Sequence, residues 1–159
     1  MGMKIMKIDS AFPDVLIIGV GGGSGNIISD LVGWGIGIDT AVVDNIEQPD
    51  IDALLNEEIR TVFIVTCLGG EYGSAVAPQI AAECRKRKLK TIGVATLPFE
   101  FEGAVKMQRA NNAANKLAKK IVKSMRKKKR YKVFGFDSKI YRFLNFIAPS
   151  KSTDLYLKI

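Results

Sequence analysis

Apolar residues in this chain come in short unbroken runs, and between them they recur every three or four positions. The runs at Val15 to Val20, Thr40 to Asp44, Thr61 to Thr66, Thr91 to Thr96 and Lys132 to Phe136 predict strands. The intervening periodicity predicts helices at Asn26 to Gly33, Pro49 to Glu58, Val76 to Arg87, and a long one from about Gly103 to Lys129. Short apolar strands alternating with helices pair in parallel and need cover on both faces. The expected fold class is therefore α/β, a doubly wound, mostly parallel sheet of about five strands with helices on both faces. Beyond Phe136, Ile140, Phe143, Leu144 and Ile147 recur at helical spacing up to Pro149, which predicts a short amphipathic helix. The expected organisation is one α/β domain over residues 1–136, with 137–159 as an amphipathic helix and tail that either closes the same core or docks elsewhere.

Two segments that directly follow strand-like runs carry the candidate chemistry. Gly19-Val-Gly-Gly-Gly-Ser-Gly-Asn26 holds five glycines in seven residues between a strand and a helix. Glycines there let backbone N–H groups close around an anion, and the helix N-terminus adds partial positive charge. No Gly-Lys-Ser/Thr follows, so a Walker lysine is missing. A dinucleotide fingerprint counted from Gly19 would need a small residue in place of Ser24, although Asp44 ends the next strand, where a dinucleotide fold holds its ribose-binding acid. The second segment, Thr96-Leu-Pro-Phe-Glu-Phe-Glu-Gly103, follows the fourth run. With Gly69-Gly-Glu-Tyr-Gly-Ser74 it would converge on the glycine loop at the carboxyl edge of the sheet.

These residues resemble the tubulin/FtsZ GTPases, whose bacterial members open with a Gly-Val-Gly-Gly-Gly-x-Gly-Asn loop and later carry a Thr-x-Pro-Phe-x-Phe-Glu-Gly loop. Between them, Val62-Phe-Ile-Val-Thr66 and Gly69-Gly-Glu-Tyr-Gly-Ser-Ala-Val-Ala-Pro78 are similar to the strand and signature loop of that family, normally Gly-Gly-Gly-Thr-Gly-Thr-Gly followed by Ala-Ala-Pro. The similarity runs from about Asp14 to about Met125 and implies a Rossmann-like GTP- or GDP-binding domain, with Mg²⁺ brought by the nucleotide.

By resemblance, Gly21, Gly22, Gly23, Ser24 and Gly25 contact phosphates, Asn26 lies near the base, and Glu102 accepts from the ribose. Pro98 and Phe99 fix the ribose-side loop. Lys106 stands where the family has an arginine, which keeps the charge and loses the two-pronged fork. In the signature loop Gly69, Gly70, Gly73 and Ser74 fit the family, while Glu71, Tyr72 and Ala75 replace Gly, Thr and Gly. A carboxylate at Glu71 would repel a polyphosphate unless it turns outward or a cation intervenes. The family's acidic hydrolysis loop, Asn-x-Asp-x-x-Asp, its long central helix and its second domain are not expected in 159 residues. The implied role is assembly or regulation of a cell-division or cytoskeletal type, with little or no hydrolysis by the chain alone.

Composition narrows other chemistries. The sequence contains no histidine, which removes the usual general base and commonest metal ligand, so no catalytic residue and no protein-held metal is expected. Cys67 and Cys84 lack metal spacing and read as small buried hydrophobes. The expectation is a soluble cytoplasmic protein, because no run approaches a membrane span and Met1 to Phe12 lacks a secretory signal. Residues 1–80 carry a net charge of −8 and residues 81–159 a net of +16. That asymmetry suits head-to-tail contact with another copy or an FtsZ-like partner, and the basic half also suits an anionic membrane or nucleic acid. Two other classes stay open, an NAD(P)-binding oxidoreductase and an interaction module that binds an anionic partner without a small ligand.

Overall fold

The computed structural model describes residues 3–6, 10–45 and 49–122. Five strands form one sheet: β1 (Met3–Met6), β2 (Val15–Val20), β3 (Asp39–Val43), β4 (Thr61–Cys67) and β5 (Lys90–Thr96), in the order β1-β3-β2-β4-β5. All neighbours pair in parallel except β1, which runs antiparallel to β3. Helices α1 (Gly22–Gly33), α2 (Ile51–Leu54) and α3 (Glu71–Lys86) fill the connections, and α4 (Ala104–Val122) follows β5.

Strand alternation sorts the core into two faces. Leu16, Ile18 and Val20 of β2 pack with Val62 and Ile64 against Val76, Ala77, Ile80 and Cys84 of α3, joined by Leu117 of α4. Ile17 points the other way and packs with Val65 against Ile28 and Leu31 of α1. Each such fully buried Ile or Leu contributes roughly 1.5–3 kcal/mol. Helices on both faces therefore follow from β2 being apolar on both.

The four strand predictions inside the described residues coincide with observed strands to within a residue at either end. The helix starts move. Helix α1 begins at Gly22 rather than Asn26, since only Gly21, at φ +90°, is needed to turn strand into helix. Helix α3 begins at Glu71, five residues early, so Gly70 is its N-cap and most of the signature segment forms the first helical turn. The Pro49 to Glu58 helix shrinks to α2, where the Asp50 side chain accepts from the Ala53 N–H at 2.9 Å. It stops there because Leu54, Leu55 and Ile59 are drawn into the core. Strand β1 was not legible in a four-residue run, and it supplies the fifth strand. The Lys132 to Phe136 strand and the helix around Ile140 to Ile147 lie outside the described residues.

Candidate functional site

Helix α3 leaves the sheet beside the strand from which α1 leaves. The connection after β2 leads to β3 on one side and the chain then crosses to β4 on the other, so the carboxyl ends of β2 and β4 form the switch point of the sheet. Two helix N-termini meet there. A Cβ built on Gly21 would stand 3.4 Å from the Cα and N of Gly73. The Thr66 hydroxyl donates to the Val20 carbonyl at 3.1 Å and ties the two strand tips together beneath them.

A cleft of about 860 Å³ opens over this point. Gly21, Gly22 and Gly23 border it on one side, Gly70, Glu71 and Gly73 on the second, and Pro98, Phe99, Glu102 and Lys106 on the third. The candidate donors are first-turn amides of α1 and α3, and in α1 these are Gly22 and Gly23, because the Ser24 N–H donates to the Gly21 carbonyl at 3.1 Å. Among the described residues no group of three or more His, Cys, Asp or Glu could hold a metal ion.

Several of the residues expected to bind ligand are committed elsewhere. The Gly21 amide donates to the Val43 carbonyl at 2.9 Å, which leaves Gly22 and Gly23 as the open part of the loop. Ser24 is fully buried, and its hydroxyl donates to the Gly21 carbonyl at 2.6 Å, so the side chain shapes the turn and is turned away from the cleft. Gly25 and Asn26 lie beyond the cleft border, with Asn26 exposed. Gly69, at φ +108°, lies behind the cleft, its amide donating to Ser74 Oγ at 3.1 Å. A side chain at Gly69 would collide with Pro98 Cγ at 2.8 Å, so this glycine lets the signature turn touch the ribose-side loop.

The ribose-side loop is held by its own charges. A 3-10 turn spans Glu100–Glu102, and Glu102 Oε1 accepts from the Phe99 N–H at 2.8 Å. Its other oxygen pairs with Lys106 Nζ at 2.7 Å, and this bond, with the Phe99 N–H second, holds the carboxyl below its ordinary pKa. Phe99 and Phe101 stack with ring centroids 5.1 Å apart, leaving Phe101 85% exposed.

Sequence reasoning missed Cys67 and Arg109 as contributors, and gave Asp44 a place only in the dinucleotide reading. Cys67 is half-buried on the cleft floor, its Sγ only 3.0 Å from where a Cβ on Gly23 would stand. Asp44 is 7% exposed and reaches with Oδ2 to 3.5 Å from the corresponding point of Gly22, so it flanks the glycine loop on the β3 side. Arg109 donates from Nη1 to the Gly69 carbonyl at 3.3 Å and pairs through Nη2 with Glu71 at 3.6 Å. The signal for Arg109 was its place one turn beyond Lys106 on the same helix face.

The model of the Tubulin/FtsZ family, GTPase domain, matches residues 38–125. The cell division protein FtsZ of Bartonella bacilliformis is 28% identical over 147 residues, taking in 69% of this chain and 25% of that protein. The FtsZ of Aquifex aeolicus is 38% identical over 87 residues, or 54% of this chain and 24% of its own. The chain thus spans about a quarter of the length of these relatives. Among solved structures, an empty FtsZ dimer of M. jannaschii superposes with a TM-score of 0.61 at 25% identity, covering 67% of this chain and 42% of that one. The GDP-bound CetZ1 monomer from Haloferax volcanii shares the fold at 15% identity, with a TM-score of 0.57 over 89% of this chain and 56% of its own. The family model alone covers more than half of the sequence, and the chain belongs to the tubulin/FtsZ family, to its GTPase domain.

Proposed function

We propose that the cleft binds GTP or GDP and that the chain acts in assembly or regulation of the cell-division or cytoskeletal kind, with little or no hydrolysis by itself. The observation that carries this reading is the meeting of two helix N-termini at Gly21 and Gly73. One anion held there receives first-turn amides from both helices. The phosphates lie on Gly22 and Gly23 on one side and on Gly70 to Gly73 on the other, and Mg²⁺ arrives with them. The nucleoside lies toward Pro98, Phe99 and Glu102. Although the Glu102 carboxylate already serves Phe99 and Lys106, its remaining lone pairs can accept from a ribose hydroxyl. Lys106 supplies the positive charge on that side. Partners of the assembled state are further copies of the chain or an FtsZ-like protein in the cytoplasm, and the basic half of the sequence gives a route to an anionic surface.

A second reading, an NAD-like dinucleotide, is favoured by one observation: Asp44 sits beside Gly22 at the end of β3, where an adenosine ribose would place its hydroxyls. The experiment is calorimetric titration of GTP, GDP, ATP and NAD, with Mg²⁺, into nucleotide-stripped protein. Preferential heat with GTP or GDP supports the first reading, preferential heat with NAD the second. No heat with any of the four, together with no thermal stabilisation, rejects both and leaves an interaction module.

A further inference from the structure

Glu71 brings a carboxylate to the border of an anion site, in the first turn of the helix whose N-terminus helps to form it. Left to itself, an acid at that position is attracted by the same first-turn amides that a phosphate would use. The structure keeps it out. Its side chain is 88% exposed and pairs with Arg109 Nη2 at 3.6 Å.

The same guanidinium does a second job. Through Nη1 it donates to the Gly69 carbonyl at 3.3 Å, at the turn where φ is +108° and where the Gly69 amide already donates to Ser74 Oγ. A carbonyl oxygen and a carboxylate, both of which would make the N-terminus of α3 less positive, are thereby tied to one cation on a neighbouring helix. An arginine can do this because its planar fork reaches two acceptors at once. Lys106, one turn earlier on α4, is occupied by Glu102.

We infer that Arg109 is a positioning residue for the anion site, holding Glu71 and the Gly69 carbonyl away from the first turn of α3 so that its amides stay open to a phosphate. The inference rests on the nucleotide reading and assigns to this chain a compensated charge pair within it. Removal of Arg109 alone converts Glu71 into an internal competitor for the amides. Removal of the Glu71 charge as well abolishes that competition, which a merely structural role for Arg109 would not allow.

The test is calorimetric titration of GDP with Mg²⁺ into the wild-type chain, Arg109→Ala, Glu71→Gln and the double variant, with thermal unfolding of each. Arg109→Ala should bind about tenfold more weakly than wild type, Glu71→Gln at least as tightly, and the double variant within about threefold of Glu71→Gln. Equal affinity of Arg109→Ala and wild type overturns the inference, as does a double variant as weak as Arg109→Ala. Should Arg109→Ala fail to fold, Arg109→Lys takes its place: it keeps the charge and loses the fork, so it should bind more weakly than wild type and recover with Glu71→Gln, and failure to recover overturns the inference. A wild-type chain that binds no nucleotide fails the nucleotide reading and this inference together, whereas binding without dependence on Arg109 fails the inference alone.

Discussion

Gly21 and Gly73 approach so closely that a single methyl group on the first would lie 3.4 Å from the Cα of the second. The parallel pairing of β2 with β4 brings their loops side by side, and the absence of side chains lets the two helix N-termini share one point. Gly73 is the more constrained of the two. A Cβ there would stand 2.8 Å from Thr66 Oγ1 and 3.1 Å from the Val20 carbonyl, the two groups already joined by a hydrogen bond. Gly73→Ala should therefore destabilise the fold by about 1–3 kcal/mol through overpacking and loss of that bond. Gly70 makes the contrast, because it has an ordinary φ of −70° and open space where its Cβ would be. Gly70→Ala should leave stability within about 0.5 kcal/mol of wild type while it weakens nucleotide binding by crowding the cleft. Urea unfolding and calorimetry on the two variants separate the effects. Equal loss of stability in both would contradict the geometry.

The strands were legible because burial on both faces forces continuous apolar runs, and Val15–Val20 and Thr61–Cys67 have that character. The helix starts were not. A sequence such as Gly22-Gly-Ser-Gly has no helical propensity to announce it, and packing of Ile28 and Leu31 on the sheet sets the start of α1 instead. For the site, glycine spacing marked the loops correctly as neighbours, since the cleft gathers Gly21, Gly22, Gly23, Gly70, Gly73, Pro98, Phe99, Glu102 and Lys106. Spacing could not tell which amides were already spent, as Gly21 is on Val43, nor that Ser24 faces inward. The Glu71–Arg109 pair joins residues far apart in sequence, and only the packing of α4 beside α3 brings them together.

The two cysteines should differ sharply in reactivity. Cys84 is fully buried on α3, and burial pushes its thiol up to about 11, so it remains protonated and shielded at neutral pH. Cys67 is partly accessible on the cleft floor. Labelling with a small alkylating reagent at pH 8 should modify Cys67 first and Cys84 only on unfolding, and saturating nucleotide should slow the first event. Peptide mass spectrometry reads the order. Labelling of Cys67 at the same rate with and without bound nucleotide would place the ligand elsewhere.

Acid should loosen the ribose-side loop. The Lys106 ammonium and then the Phe99 N–H hold the Glu102 carboxyl below its ordinary value of 4.5. A carboxyl with a depressed folded-state pKa contributes stability that is fully present above the unfolded value and is lost as pH falls through the folded one. The Glu102 contribution is thus intact at neutral pH and disappears in the acid range below 4.5. A carbon-detected NMR titration should give Glu102 a midpoint below 4.5 that rises in Lys106→Ala. Thermal melts of Glu102→Gln should depend less steeply on pH in that range than those of wild type. Glu83 is lowered as well, chiefly by its hydrogen bond to Lys86, so part of the slope will persist in the variant.

Asp44 discriminates between the two nucleotide readings. It lies on the β3 side of the glycine loop, whereas Pro98, Phe99 and Glu102 lie on the β5 side, with the β2 and β4 tips between them. Neighbouring strands are about 4.8 Å apart, so three intervals separate the two acids by roughly 14 Å across the edge. A mononucleotide whose ribose sits at Glu102 places its phosphates over the helix N-termini and needs no hydroxyl acceptor at β3. A dinucleotide reaches both ends and loses a bidentate acceptor if Asp44 is removed. Asp44→Ala should therefore leave GDP affinity within about threefold of wild type, and it should weaken any NAD affinity by about 10- to 150-fold by removing a charged acceptor whose loss costs about 1.5–3 kcal/mol. Unfolding of the variant in urea, followed beside the titrations, should remain cooperative. Loss of GDP binding with intact folding would put the ligand against β3 and shift the nucleoside away from the Pro98 loop.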